Sequence, residues 1–427
     1  MPSSLTASPQ QSIIHRTVLD NGIVVIAIEN SAADIIASRL FFRTGSQREP
    51  RDKAGLTHLL AAVLTKGTDE LSSIEIAERV ESVGAQLNTD AATDYFLLSL
   101  KTVSSDWLDM LKLAGQILRS PSFPETEVEL ERYLTIQDIR SQKEQPFSIA
   151  FEQLRQALYQ DHPYAVSVLG TEATVSELLP TDLKDYHQTY FRPDNLVISV
   201  AGRISPEAAV QQIEQVFGDW QPPSTPLPTL TLPLITTQPC HVVTPQETQQ
   251  SVVMLGYLAS SVTDPDYGAL KLLNTYLGNG LSSRLFVELR EKRGLAYDVS
   301  AFYPTRQCDS LFVTYMGTAP ENTVIAMEGL RTEVERLCSL RLSEAELQAA
   351  KNKLLGQYAL GKQTNAQLAQ IYGWYETLGL GIEFDLKFQQ QIAKVTPEMA
   401  QAAAQRFFGE PYISLVGPAE AINQILS

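Results

Sequence analysis

Cysteine is scarce in this chain, cations are outnumbered, and no long apolar run is present. Cys240, Cys308 and Cys338 are odd in number and widely spaced. They make neither a disulfide framework nor a zinc cluster and fit a reducing compartment. Lysine and arginine total 33 against 49 acidic residues, a formal net charge of −16. A surface of that sign lacks the basic footprint that nucleic-acid binding needs, and it favours basic peptides as ligands. No apolar stretch approaches the roughly 20 residues of a membrane span. The opening MPSSLTASPQQSIIHRTVLDNG has neither the apolar core of a signal peptide nor an arginine-rich amphipathic pattern. These absences point to a soluble, cytoplasmic protein that engages neither nucleic acid nor membrane.

What is present is enough apolar material, 44% of 427 residues, for more than one core. The chain also repeats itself once. An extended segment, TVLDNGIVVIAIEN, leads to helices over 54–65 and 72–82 and to GAQLNTDAATDYFLLSLKTV, which alternates like a hairpin. Helices near 105–118, 125–142, 148–160 and 181–190 follow, then the strand NLVISVAG. The second half answers in the same order: SVVMLGYLAS as a strand, helices over DYGALKLLNTYLG and SSRLFVELREKRG, and a hairpin through LAYDVSAFYPTRQCDSLFVTYMG. Helices near 321–338, 343–361, 365–379 and 396–407 lead to the closing strand YISLVGPAE. Self-similarity at half the chain length predicts two domains of one α+β fold, each a mainly antiparallel sheet packed with helices. Residues 1–220 and 241–427 form the two halves, and the proline- and threonine-rich 221–240 is a semi-rigid linker.

The stretch GLTHLLAAVLTKGT, 55–68, carries a buried stripe at Leu56, Leu59, Leu60, Val63 and Leu64. At 100° per residue His58, Ala61, Ala62 and Thr65 gather opposite it. A helix that presents two histidines and a glutamate on one face can bind zinc and activate its water. In the order His-x-x-Glu-His those roles fall on positions 58, 61 and 62, of which only His58 is filled. Alanine at 61 removes the base, and alanine at 62 removes a ligand.

The longer segment RTGSQREPRDKAGLTHLLAAVLTKGT resembles the signature of the pitrilysin/insulinase-type zinc metallopeptidases. It is closest to the branch of mitochondrial processing peptidase and its small bacterial relatives. LDNGIVVIAIEN, ESVGAQLNTDAATDYFLLSL, HPYAVSVLGTEATV, YFRPDNLVISVAG and LSSRLFVELREKRGLAYDVSA extend the resemblance over nearly the whole chain. The family takes a third zinc ligand from a glutamate on a later helix, with a supporting glutamate seven residues before it. In ELERYLTIQDIRSQKEQP, Glu131 matches the supporting carboxylate and Asp138 falls on the ligand position. Aspartate is one methylene short, so the resemblance implies a degenerate site that holds no metal and gives this chain no peptidase activity of its own.

In ELREKRGLAYDV, Arg290 and Tyr297 flank Gly294, a candidate helix cap. The resemblance implies that such a pair reaches across a cleft to grip the substrate backbone and stabilise the oxyanion. Loss of the zinc motif with retention of this pair is similar to the non-catalytic subunit of bacterial heterodimeric peptidases. Arg290 and Tyr297 would then act in trans on unstructured peptides, in a homologous partner subunit that carries the zinc. Asn88, on a strand that pairs with extended peptide in such folds, and Gly278 and Gly280, where a related inactive subunit has a glycine-rich recognition loop, are weaker candidates for peptide contact. The alternative is a catalytically inactive scaffold or peptide-binding protein of the same fold.

Overall fold

The computed structural model describes residues 14–426. The segment before residue 14, which carries most of the stretch without a signal core, lies outside the described residues. The strands are β1 (Ile14–Val18), β2 (Val24–Glu29), β3 (Ile35–Phe42), β4 (Gln86–Ala91), β5 (Phe96–Val103), β6 (Leu196–Gly202), β7 (His241–Pro245), β8 (Ser251–Ala259), β9 (Ala296–Phe302), β10 (Ser310–Thr318) and β11 (Tyr412–Gly417). They form two sheets, one in the order β1-β2-β6-β3-β5-β4 and one in the order β7-β11-β8-β10-β9.

Apart from β1 the two sheets have the same topology. The pairs β2·β6 and β7·β11 are parallel, and every other neighbouring pair is antiparallel. The internal repeat is therefore a duplicated α+β unit. Residues 221–240 carry neither helix nor strand and run exposed between the sheets. No helix among the described residues is long and apolar enough to cross a membrane.

Each sheet buries one face under helices of its own half. Trp107, Leu111, Ile117 and Phe217 pack with β3, β5 and β6 in the first core. Leu270, Leu273, Leu330 and Ala403 pack with β8 and β10 in the second. The other faces are covered by exchange. The helix Pro146–Tyr159, from the first half, lays Ala150, Leu154 and Leu158 on Val252, Met254, Val313 and Val416 of the second sheet. The helix Asn365–Thr377, from the second half, lays Ala369, Tyr372 and Tyr375 on Ile26, Phe41, Leu97 and Val197 of the first.

Close approach makes the exchange tight. A Cβ on Gly373 would stand 2.5 Å from the Phe41 ring, and one on Gly256 would stand 2.8 Å from Leu154. Polar pairs fix the second helix in place. Asn365 Nδ2 donates to the Ile35 carbonyl at 2.9 Å, and Arg39 Nε donates to Gln370 Oε1 at 3.1 Å.

Candidate functional site

The helix Leu56–Val63 begins at Gly55, whose φ of +97° favours glycine. A Cβ there would meet the Leu169 carbonyl oxygen at 2.6 Å. Glu49 closes the helix start. Its carboxyl accepts from the Gly55 N–H at 2.9 Å and the Thr57 N–H at 2.6 Å, and from the Thr57 hydroxyl. Burial pushes this carboxyl up to about 7, against the pull of its donors.

Leu56, Leu59, Leu60 and Val63 point into the first core, as their spacing indicates, while His58 and Ala62 are half-buried on the other side. Ala61 departs from the expected polar face. It is 4% exposed and belongs to the core. The edge strand β4 packs on that flank of the helix, and Thr89 Oγ1 donates to the Ala61 carbonyl at 2.6 Å.

His58 faces three carboxylates: Asp138 and Glu131, both on the helix Glu125–Glu144, and Asp90 on β4. Burial holds the imidazole below its usual range while the carboxylates pull it back up. Glu131 Oε1 accepts from Lys66 Nζ at 2.8 Å. The fold thus brings His58, Glu131 and Asp138 to one place and adds Asp90 and Lys66, which sequence spacing did not single out. Asp90 had a visible signal, since it shares the exposed face of β4 with Asn88.

These residues do not fit a zinc ion. Ala61 and Ala62 offer no donor atom, and one carboxylate is engaged by an ammonium. Among the described residues no three His, Cys, Asp or Glu side chains converge on a point that could hold a metal.

In the second half the helical turn Phe286–Glu291 has π winding and carries Arg290. Gly294, at φ +63°, closes it. Its N–H donates to the Arg290 carbonyl at 3.0 Å, and the Leu295 N–H donates to the Leu289 carbonyl at 2.9 Å. The chain then turns into β9, where Tyr297 is 61% exposed.

Two of the neighbouring cations are paired, while Arg293, like Arg290, is exposed and has no carboxylate partner among the described residues. Arg284 pairs with Glu333 at 2.7 Å, and Lys292 pairs with Glu288 at 2.8 Å. Arg290 lies with its guanidinium carbon 5.1 Å from the Phe286 ring centre. A free guanidinium and an exposed phenol therefore flank one tight turn.

Asn88 is exposed on β4, the outer strand of the first sheet, whose far edge pairs with no other strand of the sheet. Gly280 is exposed with φ +80°. Gly278 is buried: a Cβ on it would stand 1.9 Å from the Ala301 backbone nitrogen, so this glycine is required for packing the Tyr267–Gly278 helix against β9.

The chain thus carries two α+β units of like topology, with a histidine helix in the first and an arginine–tyrosine turn in the second. Residues 24–172 match the model of the insulinase family, peptidase family M16, and residues 178–354 match that of the peptidase M16 inactive domain. The chain belongs to the M16 family.

Its relatives include proteins described as uncharacterized zinc proteases. The one from Bacillus subtilis is 26% identical over 95% of this chain and 98% of its own length. The one from Mycobacterium leprae is 28% identical over 94% of this chain and 91% of its own. Among solved structures, a peptidase M16 inactive domain from Pseudomonas fluorescens is 26% identical, with a TM-score of 0.87 over 95% of this chain and 98% of its own. A protease from Helicobacter pylori, 21% identical, shares the fold with a TM-score of 0.90 over 95% of this chain and 100% of its own.

Proposed function

We propose that this chain is the non-catalytic subunit of a two-chain metallopeptidase, lending Arg290 and Tyr297 to the active site of a homologous partner whose zinc motif is complete. The observation that carries this reading is an exposed, unpaired Arg290 beside an exposed Tyr297, on a chain whose own zinc positions hold Ala61 and Ala62. Guanidinium and phenol are donors without a structural task here. Aimed at a peptide carbonyl, they would hold the substrate backbone and oppose the negative charge that grows on its oxygen during attack.

The partner supplies the metal and the general base, and this chain supplies orientation and charge. Relatives described as zinc proteases support the class of reaction. The acidic surface supports unstructured basic peptides as substrates, and a cytoplasmic setting is in keeping with the free cysteines.

The test is a reconstitution. The purified chain alone should be inert toward basic unstructured peptides. Mixed with the zinc-motif-bearing homologue from the same source, it should cleave them. Arg290→Ala or Tyr297→Phe should lower the rate of the mixture by roughly a hundredfold, the scale of one lost oxyanion donor. A mixture that gains nothing, or a rate indifferent to both substitutions, removes the reading in favour of a scaffold or peptide-binding protein of the same fold.

A further inference from the structure

A second site stands apart from both halves of the peptidase-type machinery. Between the exchanged helix Asn365–Thr377 and the second unit lies a cavity of about 330 Å³, lined by aromatic rings and by Lys271. Lys271 is on the helix Tyr267–Gly278, one turn after Tyr267. Its Nζ sits 5.4 Å from the Tyr267 ring centre and 4.9 Å from that of Tyr303. It donates one hydrogen bond, to the Tyr303 carbonyl at 2.7 Å. No carboxylate pairs with it among the described residues. An ammonium has three donors, so two are left over on this half-buried lysine, with only the two ring faces beside them.

The hydroxyls around the cavity and Gln357 are matched, while the Trp374 indole N–H has no partner among the described residues. Tyr267 Oη bonds Thr305 Oγ1 at 2.7 Å, Tyr358 Oη donates to Asp385 Oδ1 at 2.6 Å and bonds the Tyr375 hydroxyl, and Gln357 bonds Asn279 at 2.6 Å. The charge the cavity leaves open is a single positive one at one side of an apolar chamber. Burial pushes the Lys271 amine down to about 8, which still leaves it mostly charged at neutral pH.

We propose that this cavity binds a small apolar monocarboxylate, its carboxylate on the Lys271 ammonium and its hydrocarbon body among Trp374, Tyr375, Phe384 and Phe388. One cation answers one negative charge. A phosphate ester would need a second basic group, and the lining has none. The volume is at the lower end of small-molecule sites and suits a single ring or a chain of about six carbons. Thr305, Ile371 and Trp374 also line a neighbouring, larger cavity of about 550 Å³.

The test titrates the full chain by calorimetry with hexanoate, with hexanamide and with inorganic phosphate. Hexanoate should saturate at millimolar concentration and bind about tenfold more tightly than hexanamide, the scale of one charge-assisted hydrogen bond. Phosphate should not bind. Lys271→Met, which keeps the volume and the apolar walls, should erase the preference for the acid. Independently of any variant, hexanoate should slow reductive methylation of Lys271 in the wild-type chain, read by peptide mass spectrometry. Equal binding of acid and amide, saturable phosphate binding, or a Lys271 amine that hexanoate leaves unprotected would overturn the assignment.

Discussion

Arg16 on β1 and Glu376 near the end of the helix Asn365–Thr377 are 360 positions apart and form a two-pronged ion pair. Arg16 Nε meets Glu376 Oε2 at 2.9 Å, and Arg16 Nη2 meets Oε1 at 2.7 Å. Arg43, half-buried, adds a third contact at 3.8 Å. The bond holds a helix of the second half on the sheet of the first. Replacing Glu376 with alanine leaves two guanidinium groups without their anion. The expected loss is about 2 kcal/mol, between the values for exposed and buried pairs. Urea unfolding measures it, and hydrogen exchange should quicken in residues 365–377 before it does elsewhere.

A second prediction sets two effects of one methyl group against each other. Gly373 lies inside that same helix, where alanine is intrinsically favoured by about 1 kcal/mol. The added Cβ would stand 2.5 Å from Phe41 and 2.8 Å from Ser199 Cβ, and overpacking of this kind costs about 1–3 kcal/mol. The steric effect wins, so Gly373→Ala should lower the urea midpoint. A raised midpoint would mean that the helix is free to move off the sheet.

Acid should weaken the fold through two buried histidines. His187, whose Nε2 donates to the Leu118 carbonyl at 2.9 Å, and His162 are both held down to about 4 by burial. Their folded-state values lie below the ordinary 6.5. The stability they contribute is complete above pH 6.5 and is lost as the pH falls toward 4, by at most roughly 3 kcal/mol each.

Glu49 works the other way. Its value is raised to about 7 from an ordinary 4.5, so its burial costs stability above pH 7, and that cost fades as the pH falls from 7 and is gone by 4.5. In the wild type the two effects partly cancel. Glu49→Gln should therefore steepen the loss of stability between pH 6.5 and 4.5, as seen in urea midpoints collected across that range. An unchanged slope would show that Glu49 stays ionised throughout.

Arg290→Ala and Tyr297→Phe should each change unfolding free energy by less than about 0.5 kcal/mol, as expected of exposed residues with no internal partner. Gly278→Ala, at the end of the preceding helix, should be strongly destabilising because its methyl would enter the β9 backbone. This contrast separates the arginine–tyrosine turn from its scaffold. A large stability change at Arg290 or Tyr297 would instead give them a structural role.

Much of this was legible in the residues. The repeat shows in the matching order of its segments, and helices such as Trp107–Arg119 show through one wet face and one dry face. The strand β3, buried on both sides, shows no alternation and has no such periodic signal. That His58, Glu131 and Asp138 belong to one place was implied by the family resemblance, and the electrostatics of His58 feel both carboxylates.

Two things at the same site were not. Ala61 was placed on the polar side from helix geometry alone, but the neighbouring edge strand buries it. Lys66, two turns along from His58, reaches Glu131 through the tertiary fold. The crossing of the Pro146–Tyr159 and Asn365–Thr377 helices was the least visible feature. An apolar stripe states that a helix is covered and is silent about which sheet covers it.

That crossing also has a consequence for the order of events on the ribosome. The first sheet can pair its strands once residue 202 has emerged, yet one of its faces stays bare until Tyr372 and Tyr375 are synthesised. The Pro146–Tyr159 helix, made early, has nothing to lie on until β8 and β11 exist. The last of those surfaces is complete only with the closing strand at Gly417. The two halves of the duplicated sequence are therefore completed late, and each is finished by the other.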